Sequence, residues 1–109
     1  MKPLRNEMEF EEALSASHAF LFKHSTRCGA SSRAYRQVTR YEEADGPIPV
    51  FLIDVIAERT LARSIADRLG VRHQSPQVIL LARGEPVWDA SHGAVTAEIL
   101  TEKAGTLLP

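Results

Sequence analysis

The sequence has almost no cysteine and no long apolar run. Cys28 is the single cysteine in 109 residues, so no disulfide can form within the chain. No apolar segment approaches the roughly 20 residues that a membrane-spanning helix needs. The first residues, MKPLRNEMEFEEAL, are acidic where a secretion signal has its apolar centre. These absences predict a protein of the reducing cytoplasm that has no membrane partner.

The sequence also lacks an excess of charge of one sign. Thirteen Lys and Arg residues against 14 Asp and Glu residues give a formal net charge of -1, which favours no nucleic-acid partner. The histidines at positions 18, 24, 73 and 92 show no paired spacing typical of a metal site. We expect no metal and no bound cofactor. The length and an ordinary composition, 44% hydrophobic and 25% charged, predict a single globular domain over residues 1–109.

The apolar residues that are present predict alternating helices and strands. Phe10 and Leu14 lie four residues apart among glutamates, which is typical of a short amphipathic helix. The run VFLIDVI is apolar on both faces and rich in β-branched residues, as in a central parallel strand. The predicted elements are a helix at 8–17, a strand at 19–22, a helix at 28–44, a strand at 50–56, a helix at 58–70, two strands within 76–91 that form a hairpin through 83–85, and a final helix that includes 97–100.

This order predicts an α/β protein with the thioredoxin fold, in which an N-terminal helix precedes a β-α-β-α-β-β-α unit with a central mixed sheet. A right-handed crossover makes the first two predicted strands parallel, and the hairpin adds antiparallel strands. In open α/β sheets the functional site lies at the carboxyl ends of the strands. The first predicted strand leads directly into Cys28.

Cys28 occupies a position where a thiol is predicted to be reactive. A free cysteine has a pKa of about 8.5, so little of it is thiolate at neutral pH. A helix N-terminus places unpaired backbone N–H groups and about half a positive charge beside the sulfur. Arg27 adds a cation, and His24 adds another when it is protonated. The alternative is a small buried apolar residue, but the polar residues around Cys28 favour the reactive thiol.

The chain has Ser31 where a dithiol enzyme carries its second cysteine. Once Cys28 has formed a mixed disulfide, Ser31 has no sulfur to attack it, so the second thiol has to come from outside. Ser31 is predicted to hydrogen-bond the thiolate or to cap the helix. Other cysteine chemistries fit less well. A phosphatase loop needs Arg where Ala34 lies, and a Cys-His protease with His73 or His92 as base would need a substrate cleft that 109 residues hardly allow.

Three segments together resemble a known family: FKHSTRCGASSRAY at 22–35, GVRHQSPQVIL at 70–80 and VWDASHGAVTAE at 87–98, with Asp-Val at 54–55 between them. They are similar to the thioredoxin-like, single-cysteine proteins of the bacillithiol system, the YtxJ type. The resemblance implies that Cys28 takes bacillithiol from S-thiolated client proteins and is regenerated by another low-molecular-weight thiol. Gly29 departs from the pattern, since proline is expected at the second position of the motif.

The resemblance also implies where substrate binds. Ser75 and Pro76 occupy the place of the cis-proline that faces the cysteine in thioredoxin-like proteins, and Ser75 would offer backbone groups to an extended substrate. The alternative is an ordinary proline at the start of a strand. His92 matches a loop close to the cysteine, where it would contact substrate or protonate a leaving thiolate. Alternatively, Ser91 caps a helix and His92 faces solvent.

Two other functions stay open at the level of the sequence. One is a binding module or thiol sensor, in which the fold presents a surface and Cys28 is inert or only modified. The other is an iron-sulfur carrier like the monothiol glutaredoxins, which use a similar C-G-x-S motif but also a double-glycine segment that this chain lacks. Trp88 would either flank the site or pack in the hairpin. Positions 33, 36 and 40 form an arginine face that would meet carboxylates of a small thiol or face solvent.

Overall fold

Helices pack on both faces of a five-stranded sheet in the computed structural model, which describes residues 1–108. The strands in this range are β1 (Lys2–Pro3), β2 (His18–His24), β3 (Val50–Asp54), β4 (Gln77–Ala82) and β5 (Glu85–Ser91). The α-helices are α1 (Glu7–Ser15), α2 (Gly29–Glu43), α3 (Arg59–Leu69) and α4 (Ala97–Leu107), and a short 3-10 helix spans His92–Ala94.

The sheet is mixed and has the strand order β1-β3-β2-β4-β5. Strands β1 and β2 run parallel to β3, whereas β4 is antiparallel to β2 and β5 is antiparallel to β4. The predicted α/β order with a central mixed sheet is therefore confirmed. Strand β2 lies at the centre, so its carboxyl end is held by a neighbour on each side.

The sequence analysis missed strand β1. Its two residues pair with Phe51 and Leu52, and the N–H of Leu4 donates to the carbonyl of Leu52 at 2.8 Å. Two residues are too few to produce an alternating pattern, and Pro3 is a residue that strands seldom contain. The strand forms because the buried side chain of Leu4 carries this segment against the edge of the sheet.

Several predicted boundaries shift by one or two residues, and two of these changes have clear local reasons. Strand β3 ends at Asp54 rather than at residue 56, because Asp54 Oδ1 accepts the N–H groups of Ile56 and Ala57 at 2.9 and 3.0 Å and turns the chain. The hairpin loop contains two residues rather than three. Arg83 and Gly84 have φ values of 51° and 79°, as a type I′ turn requires, and residue 85 already belongs to β5.

The core has one layer on each face of the sheet, and alternating β2 side chains enter both. Leu21 packs with residues from α1 and α3, and Phe20 and Phe22 pack with residues from α2 and α4. The Tyr41 hydroxyl closes the second layer. It accepts the N–H of Ile48 at 2.9 Å and donates to the carbonyl of Ile48 at 3.1 Å, which ties the 44–49 turn to α2.

One charged side chain, Lys23, is buried within this sheet. It has 0% relative exposure and shares the face of Leu21, since strand side chains alternate. Its Nζ lies 3.1 Å from Nδ1 of His73. Burial lowers the pKa of Lys23 to about 8, while the negative charge of Asp89 acts in the opposite direction.

Gln77 lies beside Lys23 on β4 and is also buried. Its Oε1 accepts the N–H of Gln74 at 3.3 Å, and its Nε2 donates to the carbonyl of Arg72 at 3.1 Å. Buried polar atoms that lack partners destabilise a fold, so these two bonds satisfy the Gln77 amide. Together with the Lys23–His73 contact they anchor the loop between α3 and β4.

Replacing Gly46 with alanine should destabilise the protein strongly. A Cβ at this position would overlap the ring of Tyr41, which is buried and held at its hydroxyl by Ile48. We expect Gly46→Ala to lower the free energy of unfolding by more than about 2 kcal/mol, measured by urea denaturation. The matched control is Gly105→Ala in α4, where a Cβ meets nothing within 4 Å. This control should gain about 0.5–1 kcal/mol. Equal effects of the two variants would contradict the packing of Tyr41 on Gly46.

The buried Lys23 should give the protein a characteristic pH dependence of stability. Because its folded-state pKa is about 8 rather than 10.5, the unfolded chain binds more protons between these values, and stability rises with pH across that window. Relative to Lys23→Met, the wild-type free energy of unfolding should rise by at most about 3 kcal/mol from pH 8 to 10.5. Urea denaturation at several pH values measures the difference, with Lys2→Met at an exposed position as control. Parallel curves for wild type and Lys23→Met would contradict the burial of the ammonium group.

Candidate functional site

Four chain segments meet at one edge of the sheet. His24 at the end of β2 is in register with Asp54 at the end of β3. Lys23 pairs with Gln77 at the start of β4, and Gln77 pairs with Ser91 at the end of β5. The chain therefore leaves β2, β3 and β5, and enters β4, at the same edge of the sheet. The predicted site residues lie on three of these segments, at positions 24, 27–29, 31, 75–76 and 92.

Cys28 is the N-cap residue of α2 and is partly buried. Its backbone is extended, and α2 has no side-chain cap hydrogen bond. The N–H of Cys28 donates to the carbonyl of Ser25 at 3.3 Å, and its carbonyl accepts the N–H of Ser32 at 3.1 Å. A side chain at the N-cap lies next to the free N–H groups of the first helical turn. The thiol of Cys28 is thus placed at the positive end of the α2 helix dipole.

Ser31 does not cap α2, so that prediction is wrong. It is the third residue of the helix and is fully buried, and its Oγ accepts the N–H of Ser25 at 2.9 Å. The hydroxyl reaches back to the loop before the helix because a side chain in the first turn points toward the N-terminus. This bond fixes the turn that carries Cys28. A hydrogen bond from Ser31 to the thiolate stays a prediction.

His24 does not add a cation at neutral pH. Its ring packs against Phe22 and Tyr35, with centroid distances of 5.6 and 5.1 Å. Burial lowers the pKa of His24, and the attraction of Asp54 opposes that shift. The expected imidazolium charge beside Cys28 is therefore absent near pH 7. The Nδ1 atom is buried and has no hydrogen-bond partner among the described residues.

Arg27 and Gly29 flank the cysteine and are exposed. The charge of Arg27 is thus adjacent to Cys28 in the chain and accessible from solvent. Gly29 is the first residue of α2, and a Cβ there would meet nothing within 4 Å. Proline is well tolerated at this helical position, and the space beside Gly29 is open. Glycine in place of the expected proline therefore leaves more free space next to Cys28.

The peptide bond between Ser75 and Pro76 is cis. Pro76 is buried, and its carbonyl accepts the N–H of His92 at 3.0 Å, which joins the loop before β4 to the loop after β5. Ser75 Oγ is buried and has no hydrogen-bond partner within residues 1–108. His92 is exposed and has a φ of 53°. The structure therefore brings the two loops into contact at the edge that also carries the end of β2.

Two of the alternatives are resolved by packing. Helix α4 is capped by Thr96, whose Oγ1 accepts the N–H of Ile99 at 3.1 Å. Ser91 is the N-cap residue of the 3-10 helix instead, and its side chain forms no cap hydrogen bond there. Trp88 is paired with Leu80 in the middle of β5 and packs on the core layer below α2 and α4. It belongs to the core rather than the site. The arginine face of α2, at positions 33, 36 and 40, is exposed.

Sequence reasoning missed the polar groups on the α3 side of this edge. Lys23 follows the run AFLF on the face of Ala19 and Leu21. This position of a lysine, on the buried face of a predicted central strand, was the sequence signal that could have indicated a buried charge. No pattern in the sequence pointed to His73 as its partner, because the two residues lie 50 positions apart and meet only through the loop after α3.

The described residues contain no metal centre and no membrane-spanning helix. Within residues 1–108, no group of three or more His, Cys, Asp or Glu side chains is placed to hold a metal ion. No helix in the same range is long and apolar enough to cross a membrane.

Solved structures share this architecture. A protein assigned as an oxidoreductase with a thioredoxin fold is 31% identical, with a TM-score of 0.86, and the match covers 95% of this chain and 92% of that chain. A mutant thioredoxin from Halobacterium salinarum is 23% identical, with a TM-score of 0.74 and coverage of 99% and 95%. Mitochondrial thioredoxin 3 from Saccharomyces cerevisiae is 17% identical, with a TM-score of 0.76 and coverage of 97% and 94%. The thioredoxin fold of this chain is thereby established.

The family itself follows from the sequence match. The family model described as monothiol bacilliredoxin BrxC matches residues 2–100, a span that includes Cys28, the Ser75–Pro76 segment and the loop with His92. The match supports a thiol redox function for this chain, which has one cysteine. The chain belongs to the monothiol bacilliredoxin family.

Proposed function

We propose that this protein removes bacillithiol from S-thiolated client proteins through a mixed disulfide on Cys28. One observation carries the proposal: the single thiol of the chain lies at the uncapped N-terminus of α2, in a member of the monothiol bacilliredoxin family. A thiolate is the reacting form in disulfide exchange, and the helix N-terminus places free backbone N–H groups beside the sulfur. The reducing cytoplasm is the setting in which such a thiol stays free.

In the first step the Cys28 thiolate attacks the bacillithiol sulfur of the client's mixed disulfide. A new S–S bond joins Cys28 to bacillithiol, the old S–S bond breaks, and the client thiolate leaves and takes a proton. No electrons are gained or lost overall, since one disulfide replaces another. The client recovers its free thiol, and Cys28 holds the bacillithiol.

In the second step an external low-molecular-weight thiol regenerates Cys28. Its thiolate attacks the bacillithiol sulfur, the bond to Cys28 breaks, and the Cys28 thiolate leaves as a group stabilised by the helix N-terminus. The products are the free protein and a disulfide of bacillithiol with the external thiol, so that thiol is the reductant. Ser31 cannot take this role because it has no sulfur.

The groups around Cys28 have roles that match these steps. Arg27 adds a positive charge next to the thiolate, and Gly29 leaves room for the incoming disulfide. Exposed His92 is the candidate for transferring a proton to the departing client thiolate, whereas neutral His24 lines the site beside Tyr35 without a proton to give. Ser31 orders the turn through Ser25, and its hydroxyl proton is free to bond the sulfur.

The client docks along Ser75 and Pro76 in this proposal. An extended client segment would lie beside the backbone of Ser75 as an added strand. Two buried polar atoms without partners in the described chain, Ser75 Oγ and His24 Nδ1, support this placement. Buried polar groups are normally hydrogen-bonded, so a bound substrate is a natural source of the missing partners.

The direct test is intact-mass measurement after the reduced protein is mixed with a one-cysteine reporter protein that carries bacillithiol. We expect the mass of one bacillithiol to move from the reporter to the wild-type protein and nothing to move to Cys28→Ser. The variant has no other thiol, so it isolates the role of this residue. An unchanged reporter would overturn the exchange function. Binding of the reporter by both proteins without transfer would favour the binding module instead.

Restoring a second thiol should change the fate of the adduct. In Ser31→Cys, the new thiol can attack the Cys28–bacillithiol disulfide, which releases bacillithiol and leaves a disulfide between positions 28 and 31. We expect the adduct to disappear without an external thiol, and the product mass to be two hydrogens below that of the reduced variant. Ser17→Cys, at the opposite edge of the sheet, is the control and should keep its adduct. A lasting adduct in Ser31→Cys would show that position 31 does not reach the sulfur.

A further inference from the structure

A small cavity lies on the α3 side of the sheet edge that carries Cys28. Its volume is about 230 Å³, and it is lined by Val55, Arg59, Ala62, Arg63 and His73. Three of these five residues carry nitrogen donors, and none of them is acidic. A cavity of this size holds a small chemical group rather than a protein segment. The grouping of three nitrogen donors around one small cavity is the feature that requires an explanation.

Arg59 and Arg63 lie four residues apart on α3, so their side chains share one helix face. Within residues 1–108 neither guanidinium forms an ion pair; the ion pairs in that range involve other cations. Like charges at this spacing destabilise a helix slightly. Two planar guanidinium groups directed at one cavity are well suited to a carboxylate or phosphate.

His73 adds a third donor, and its hydrogen-bonding role is set by Lys23. An ammonium group only donates, so Nδ1 of His73 accepts from Lys23 Nζ at 3.1 Å. The neutral ring must then carry its proton on Nε2. Burial lowers the pKa of His73, and the positive charge of Lys23 lowers it further. The buried lysine thus holds His73 as a neutral donor.

We propose that this cavity is an oxyanion-binding site, in which Arg59, Arg63 and His73 hold a carboxylate or phosphate group. The oxyanion has two sources. It is either a free anion such as phosphate or a carboxylate of the small thiol that Cys28 carries. The second source rests on the proposed function; the first does not.

The position of the cavity allows both sources. The N–H of Val55 donates to the carbonyl of His24 at 3.0 Å, and His24 lies four residues before Cys28. Four extended residues span at most about 14 Å, which is the upper limit of the backbone separation between His24 beside the cavity wall and Cys28. A wider groove of about 710 Å³ shares Arg63 and His73 with the cavity and leaves room for the rest of a ligand.

Other charged groups near His73 act on the same site. Lys23 approaches it from β2, and Arg72 precedes it in the loop. Both Arg72 and Asp67 line the wider groove. Asp67 is the one acidic residue in that lining, and it is absent from the lining of the small cavity. Asp89 on β5 acts on Lys23, and it too is absent from that lining. The two charged residues that line the small cavity, Arg59 and Arg63, are therefore both cations and favour an anion.

Titration of the full-length protein with inorganic phosphate, followed by NMR of the His73 ring, tests the site. We expect saturable binding that raises the pKa of His73, because a bound anion favours the imidazolium. Arg63→Gln should weaken phosphate binding by about tenfold or more, since it removes a charged bidentate donor. Arg36→Gln makes the same charge change on exposed α2 and should have no effect. Absence of saturable binding, or equal weakening by both variants, would overturn the proposal.

A second measurement identifies the source of the oxyanion. Reaction rates of Cys28 are compared for glutathione disulfide and for the same disulfide with its carboxylates esterified, in wild type and in Arg59→Gln. If the variant slows the acid form severalfold more than the ester, the site holds a carboxylate of the small thiol. If the ratio of rates is unchanged while phosphate binds, the ligand is a free oxyanion. A Cys28 that reacts with neither reagent counts against the proposed function, and the phosphate titration alone then decides on the site.

Discussion

The structure depends on the burial of strand β2 between two neighbours and two layers of helices. Its backbone pairs with β3 on one side and β4 on the other, and its side chains enter both core layers. A strand paired on both sides and packed on both faces has a well-anchored carboxyl end. Cys28 follows that end by four residues, so the thiol is carried by a segment that continues the central strand of the sheet.

Three buried polar side chains lie near this edge of the sheet. Lys23 and Gln77 hydrogen-bond the loop before β4, and Ser31 hydrogen-bonds the turn before α2. Burying an ammonium group reduces stability unless something else is gained. Here the gain is a loop and a turn held in fixed positions on either side of the thiol. The core is therefore not purely apolar, and its buried polar groups order the segments around the site.

The same edge explains how a single thiol serves a fold that elsewhere uses two. Position 31 is buried and holds the turn through its hydroxyl oxygen, and it has no sulfur with which to form a second disulfide bond. Position 24 carries a neutral histidine against Tyr35. In the proposed exchange this site forms and releases a mixed disulfide, and a small thiol supplies the second sulfur. The proposed oxyanion site on the α3 side of the edge would give such a thiol a second point of attachment.

The sequence by itself determined the order of helices and strands, the mixed sheet and the place of Cys28 at a helix N-terminus, since these follow from local periodicity and turn residues. Only the tertiary structure decided β1, which is too short for a pattern, and the roles of Ser31 and His24, which depend on burial. The contact of Lys23 with His73 spans 50 residues of chain and was equally invisible to local reasoning. Local rules report which elements form, whereas hydrogen-bond partners and pKa shifts arise from groups that only packing brings together.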